Sequence, residues 1–207
     1  MRDRTKSGSN VARVGWRRLA PHATSWADIL PKASIGRRTV AVTAIVVGIA
    51  LAASVPVYVL PVQHPITSAD VVYSIGVERW RIEAAVDLIE TGASDTLVVS
   101  RPHWMWVDEC ELPQDFAVIC ADPDPFTTRG EAAYLQTLMQ DNGWHSAIVV
   151  TRTPHVTRTQ LLMDRCVDGD VNVVGRSTGM TPLDWAYQYL YQTAAFVKLA
   201  FVTPGCA

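Results

Sequence analysis

The chain has 207 residues, of which 49% are hydrophobic and 18% are charged, and its formal net charge is −2. This near-neutral total hides an asymmetry. Residues 1–38 carry nine Arg and Lys against two Asp, a balance of +7, whereas residues 61–207 carry nine against 18 acids, a balance of −9. An acidic main domain argues against nucleic-acid binding. Its length suffices for one complete hydrophobic core.

Residues 1–38 lack sustained periodicity, which predicts a mostly disordered basic tail. Thr39–Leu60 follows without a single charge, and its 22 residues exceed the about 20 apolar residues with which a helix spans a bilayer. Basic residues collect on the cytoplasmic side of such helices. The charge step therefore places the amino terminus in the cytoplasm and the main domain outside it, with Thr39–Leu60 as a single-pass anchor.

A cleaved signal peptide is the alternative, because Ala52, Ala53 and Ser54 offer small residues for cleavage. Signal peptides have apolar cores of about 7–15 residues behind short leaders. The longer apolar core and the longer leader of this chain favour an uncleaved anchor. Residues 61–69 then form a short Pro-bearing linker.

Over residues 70–207, apolar runs typical of buried strands alternate with helical periodicity. The predicted elements, in chain order, are a strand Val71–Ile75, a helix Glu78–Thr91, a strand Thr96–Ser100, an irregular segment 101–115, a strand Phe116–Cys120, a helix Thr128–Asn142, a strand Ala147–Thr151, a helix Val156–Cys166, a strand Val171–Val174 and a helix Leu183–Phe201. This order predicts an α/β fold of three layers, in which helices cover both faces of a Rossmann-like, open, mostly parallel sheet.

All four cysteines follow the apolar segment, which suits an oxidising compartment and disulfides. Four cysteines allow three pairings. We favour Cys110 with Cys120, which closes a short loop, and Cys166 with Cys206, which ties the carboxyl tail to a helix. A zinc site is the competing interpretation, but the sequence has no Cys-x-x-Cys and no His at short ligand spacing from a Cys, so we predict no metal.

Short motifs stand at the ends of the predicted strands and at the starts of the helices. They are Asp70–Gly76, Arg81-x3-Ala85-x2-Leu88-x3-Gly92, Leu97–Ser100, Thr127–Ala132 and Thr151–Arg158. In this order and at these separations, the motifs resemble those of the SanA/YdcF/ElyC-like family, a bacterial membrane-anchored domain largely of unknown function. The chain departs from the family pattern at Arg101, where a glycine is usual, and at Thr127 and Glu131, where asparagines are usual.

The best-preserved motif places His155 and Arg158 three residues apart, after a strand and a Pro-containing turn. An imidazole there can act as a general acid or base, and a guanidinium suits bidentate binding of phosphate or carboxylate. We predict His155 as the catalytic residue. The other predicted ligand-binding residues are Gly76, Arg81, Ser100, Thr127, Thr128, Glu131, Thr151 and Arg158.

Several of these residues also have structural interpretations. Arg81 can pair with Glu78 or Asp70 instead of binding a ligand. Thr128 and Glu131 have the spacing of a capping box, which makes helix capping the favoured role of the Thr127–Thr128 segment. In the irregular segment, Trp104 and Trp106 can stack on a sugar or lie at a membrane interface, although covering a sheet edge is slightly favoured.

The family resemblance implies a role in cell-envelope biogenesis or barrier integrity, with an anionic, phosphorylated or lipid-linked intermediate as ligand. A non-catalytic assembly or scaffold protein with a degenerate pocket is the alternative. Some relatives are reported to bind S-adenosylmethionine. Gly76, however, is the one glycine directly after the first strand and cannot alone bring backbone amides against a diphosphate, so the cofactor is left unassigned.

Overall fold

The structure is a computed structural model that describes residues 36–65, 68–177, 179–202 and 205–206. Contacts divide the chain into two units, Met1–Thr43 and Ala44–Ala207. The described part of the first unit is residues 36–43, which are the start of a helix and the residue before it. All of them are exposed. The predicted tail therefore lies almost entirely outside the described residues, as do two residues of the predicted linker.

Helix α1 spans Arg37–Tyr58 and is displaced by two residues at each end from the predicted apolar run. Among the described residues, it is the one helix that has the length and composition to cross a membrane. The helix ends shortly before Pro61, and a proline disfavours helical geometry in the residue that precedes it. Length and composition are thus compatible with a membrane anchor.

The second unit contains a five-stranded sheet in which every pairing is parallel. Its strands are β1 Val71–Ser74, β2 Thr96–Ser100, β3 Ala117–Ala121, β4 Ser146–Arg152 and β5 Asp170–Arg176. Their order is β3-β2-β1-β4-β5, so the strand order reverses between β1 and β4. The predicted open, parallel α/β fold is confirmed.

Helices cover both faces of this sheet. They are α2 Arg79–Glu90, α3 Asp108–Glu111, α4 Thr128–Asn142, α5 Val156–Cys166 and α6 Pro182–Phe201. Successive strand residues point to opposite faces. Tyr73 accordingly packs in one core cluster with Leu135 of α4 and Met163 of α5, whereas Val72 packs in another with Leu88 of α2.

The residues that follow α1 lie along the edge strand β5. The amide of Gly175 donates to Oε1 of Gln63 over 2.7 Å, and Nδ2 of Asn172 donates to the carbonyl of Pro65 over 3.2 Å. An open strand edge offers unpaired backbone groups to other chains. The start of the predicted linker is therefore part of the domain and covers one edge of its sheet.

The segment 101–115 differs from its prediction in two ways. It contains the short helix α3, which no apolar periodicity announces. Trp104 and Trp106 are 70% and 66% exposed, so the favoured interpretation, in which they cover a sheet edge, is wrong. Val107 is buried instead and packs in the core cluster on the α2 side of the sheet, because it is the apolar residue next to α3 that faces inward.

Both predicted disulfides are confirmed. Cys110 in α3 is joined to Cys120 in β3, and Cys166 at the end of α5 is joined to Cys206 near the carboxyl terminus. The first bond holds the irregular segment against the edge strand β3. The second fixes the chain beyond α6 to the end of α5.

Candidate functional site

A cavity of about 1120 Å³ opens at the carboxyl ends of β1 and β4. The connections that leave these two strands run to opposite sides of the sheet, since β1 leads to β2 and β4 leads to β5. Ligands of open α/β sheets bind in the crevice at such a reversal, because the diverging connections leave a gap between them. The cavity therefore lies where the topology favours a ligand.

The structure brings all nine predicted site residues to this cavity or directly behind it. Seven of them line it: Gly76, Arg81, Thr127, Thr128, Glu131, His155 and Arg158. The other two stand one layer deeper. Ser100 donates to Oε1 of Glu131 over 2.7 Å, and Oγ1 of Thr151 lies 3.1 Å from Nδ1 of His155. These two residues hold a lining side chain in position.

Glu131 is the buried carboxyl of the site, with 4% of its surface exposed. Burial raises its pKa to about 7, although the hydrogen bond from Ser100, the charge of Arg81 and a hydrogen bond from the amide of Gly76 oppose the shift. A carboxyl with this pKa exchanges its proton near neutral pH, as an acid or base in catalysis must. Its position after two threonines suggested a helix start, and nothing local in the sequence indicates this burial.

The guanidinium of Arg81 occupies the space that a side chain at Gly76 would fill. Gly76 has a φ of +81°, and a Cβ added there would lie 2.5 Å from Nη1 of Arg81. The guanidinium of Arg81 is buried, donates to the carbonyl of Ile75 and to Oε1 of Glu78, and leaves its Nε without a partner. Burial lowers the pKa of Arg81, but a guanidinium remains charged in proteins. Arg81 thus pairs with Glu78, as the structural interpretation predicted, and also lines the cavity.

His155 and Arg158 form one hydrogen-bonded unit. Arg158 donates from Nη2 to Nε2 of His155 and from Nε to Oε1 of Gln192, the second over 3.0 Å. A guanidinium only donates, so Nε2 of His155 accepts and the ring proton resides on Nδ1, facing Thr151. The ring is enclosed although the residue is partly accessible. Burial first, and the charge of Arg158 second, hold the pKa of His155 well below its ordinary value.

These bonds bear on the predicted acid–base role of His155. The imidazole is neutral, and the lone pair that would accept a proton already accepts from Arg158. In this arrangement the imidazole positions the guanidinium. The acid–base role stays a prediction, which requires the bond to Arg158 to break.

The start of α4 is capped, but not by the predicted capping box. Thr127 is the cap, with extended backbone and an Oγ1 that accepts from the amide of Gly130 over 3.2 Å. Thr128 is the first helical residue, and its Oγ1 lies 3.4 Å from Nε2 of His155. Glu131 turns inward to Ser100 instead of returning to the cap. The capping-box prediction is wrong, because the helix begins one residue earlier than that motif requires, and the third helical residue is Gly130.

The wall opposite the sheet comes from α6, which the sequence analysis did not assign to the site. Its contributions include Asp184, Tyr187, Tyr191, Gln192 and Lys198. The polar residues of this set share one side of a helix that is otherwise apolar. That pattern could have indicated this wall from the sequence.

Arg152, the last residue of β4, also lines the cavity and was missed. Its guanidinium lies 5.2 Å from the ring centre of Trp80, within the range of a cation–π contact. Five basic and three acidic side chains line the cavity in all. With the pKa of Glu131 near 7, the balance of charge is positive and favours an anionic ligand.

Comparisons with known proteins add no relative of this chain. Protein-family models, curated proteins and solved structures give no match. The chemistry of the site is therefore that of the residues which line it. Among the described residues, no group of three or more His, Cys, Asp and Glu side chains is arranged to hold a metal ion. What the cavity offers is several guanidinium groups and a buried carboxyl, Glu131, whose pKa is raised to about 7.

We expect Gly76→Ala to weaken anion binding, because its Cβ would displace the guanidinium of Arg81. Gly92→Ala is the matched control, since Gly92 has a φ of +80° with open space around it. The strain of a left-handed alanine should cost both variants about 1–3 kcal/mol of stability. Urea unfolding and phosphate binding are measured on both. Equal binding by the two variants would show that Arg81 does not contact the ligand.

Proposed function

We propose that this chain is a membrane-anchored, extracytoplasmic protein of the SanA/YdcF/ElyC-like family that binds or acts on an anionic intermediate of the cell envelope. The ligand is a phosphorylated compound, free or lipid-linked. The observation that carries the proposal is the convergence of Arg81, Arg152 and Arg158 on one cavity at the reversal of strand order. Guanidinium groups bind phosphate with paired, charge-assisted hydrogen bonds.

Each residue has a separate role in this proposal. The three arginines hold the anion, and His155 positions Arg158 through its Nε2. Glu131 lies in the same cavity and exchanges a proton near neutral pH, which suits acid–base chemistry at the bound group. Proton exchange is therefore assigned to Glu131 ahead of His155.

The cellular location is part of the proposal. The positive balance before α1 and the negative balance after it favour a cytoplasmic amino terminus in the bacterial inner membrane. Two disulfides in the second unit suit an oxidising compartment.

A scaffold without catalysis is the second candidate. It is favoured by the internal bonds of the two candidate acid–base groups, since Glu131 accepts from Ser100 and His155 accepts from Arg158. In this case the cluster closes the fold, and the cavity needs no ligand.

Arg152→Gln separates the two candidates. Arg152 is only partly buried, so its removal leaves the core intact. If the cavity binds an anion, loss of one charged hydrogen bond worth about 1.5–3 kcal/mol should weaken affinity about tenfold or more. The measurement is calorimetric titration of the full chain in detergent, with inorganic phosphate in one arm and a prenyl phosphate in the other.

Arg176→Gln is the matched control for this titration. Arg176 pairs in register with Arg152 on the neighbouring strand but does not line the cavity, so its affinity should equal that of the unchanged chain. Binding confined to the prenyl phosphate would identify a lipid-linked ligand. No binding of either probe by the unchanged chain would leave the scaffold candidate.

A further inference from the structure

We propose that the outward face of α6 lies in the headgroup region of the same bilayer that α1 enters, so that the domain rests on the membrane along this helix. We define this outward face as Leu183, Leu190, Val197 and Phe201. Its residues recur at intervals of seven and four, which places them on one side of the helix. The proposal concerns how the domain meets the membrane and does not depend on what the cavity binds.

The amphipathicity of α6 is inverted relative to a helix that packs on a soluble core. Leu183, Leu190 and Phe201 are 79%, 76% and 83% exposed. The charged and amide side chains of the helix instead line the cavity: Asp184, Gln188, Gln192 and Lys198. A surface helix in water places its polar face outward. The exposed apolar face of α6 therefore requires an apolar medium or partner.

The end of α1 indicates that the apolar medium is the bilayer, because this end contacts α6. Tyr58, the last residue of α1, has its ring centre 5.0 Å from that of Tyr189 and its hydroxyl 3.1 Å from Oγ1 of Thr193. Both partners are in the middle of α6. If α1 crosses a bilayer, Tyr58 lies where the helix leaves it, and tyrosine is enriched at that interface. The centre of α6 is then held at the level of the membrane surface.

The composition of α6 also favours a bilayer over a second protein. Across the 20 residues of α6 there are two charged side chains, Asp184 and Lys198, and six aromatic ones. Aromatic and aliphatic side chains on the buried face are typical of helices that lie in the plane of the interface. The contacts of Tyr58 with Tyr189 and Thr193 hold α6 beside the end of α1. A second copy of the chain is the competing occupant.

Photo-crosslinking of the full chain tests this inference. Benzoylphenylalanine is placed at Leu190 or, in a second variant, at Val197, and the protein is reconstituted into phosphatidylethanolamine–phosphatidylglycerol vesicles. Both side chains are exposed, so the substitutions leave the core intact. Two further variants are controls. Ile45 on α1 should react with lipid if the anchor is inserted, and Gln140 is an exposed position near the carboxyl end of α4, at the edge of the sheet opposite the cavity.

The expected result is a severalfold higher yield of lipid adducts at Leu190 and Val197 than at Gln140, together with adducts at Ile45. Adducts to a second copy of the chain at Leu190 and Val197 would overturn the inference in favour of self-association. Adducts at Ile45 without adducts on α6 would overturn it while leaving the anchor. An absence of lipid adducts at Ile45 would show that α1 is not inserted in the bilayer, and the inference, which depends on that anchor, would be overturned. None of these outcomes affects the phosphate titration.

Discussion

Replacing Glu131 by glutamine is expected to stabilise the domain by about 3 kcal/mol near pH 8 and to change its stability little near pH 4.5. Burial raises the pKa of this carboxyl from 4.5 to about 7, so the folded chain binds its proton more tightly than the unfolded chain does. The contribution of the protonated group is complete below pH 4.5 and is lost as the pH rises through 7. Glutamine is neutral throughout and can keep the bonds to Ser100 and Gly76.

Chemical denaturation of the full chain in a nonionic detergent at the two pH values measures this difference. Glu90→Gln, on the exposed carboxyl end of α2, is the control, and its stability change should stay within about 1 kcal/mol at both pH values. A Glu131→Gln variant with no gain near pH 8 would mean that the carboxyl is solvated, and proton exchange near neutral pH would lose its basis. A gain would mark a position where stability is lower than the fold allows, as is common in functional sites.

Removal of the Cys166–Cys206 disulfide should cost about 4 kcal/mol, the loop-closure entropy for a separation of this size. The bond holds the chain after α6 against the end of α5, whereas α6 keeps its contacts with Tyr58 and Arg158, so the loss should act on stability rather than on the cavity. The variant replaces both cysteines by alanine, and its unfolding in urea is compared with that of the unchanged chain.

The Cys110–Cys120 pair provides the comparison. Its loop is shorter, with a separation of 10 residues, so its removal should cost about 3 kcal/mol by the same reasoning. Peptide mapping without reductant, on protein taken from cells, checks that both bonds form in place. Free thiols at all four positions would contradict both the disulfides and the proposed oxidising compartment.

Most of the fold follows from local sequence patterns. Runs such as Ala147–Thr151 are apolar over the length of a buried strand, and each lies within one residue or two of an observed strand. The strand order does not follow in this way, because the pairing of β1 with β4 joins Val71 to Ala147 across more than seventy residues. The helix α3 was missed since four residues rich in Asp and Glu carry no apolar periodicity.

The candidate site was predicted only in part, because local patterns indicate some of its residues and contacts between distant residues determine the others. Residues directly after strands were placed correctly, since parallel strands bring their carboxyl ends to one edge. Glu131 was predicted as a ligand-binding residue, and its spacing from Thr128 also suggested a capping box. Its bond to Ser100 spans 31 residues and is not visible in local spacing. The α6 wall was missed because its approach to the sheet depends on a tertiary contact, such as that of Arg158 with Gln192, which spacing does not reveal.

The end of α1 and the residues directly after it limit how far the cavity can move away from α1. Val57 accepts from Thr157 over 2.7 Å, Tyr58 contacts Thr193, and Gln63 is bound to Gly175, so the described residues at and after the end of α1 are bound to the domain. A flexible linker would let a domain sweep a volume that grows with linker length. If α1 spans the bilayer, the cavity can move only laterally with it. A lipid-linked ligand would then reach the cavity by a search in two dimensions.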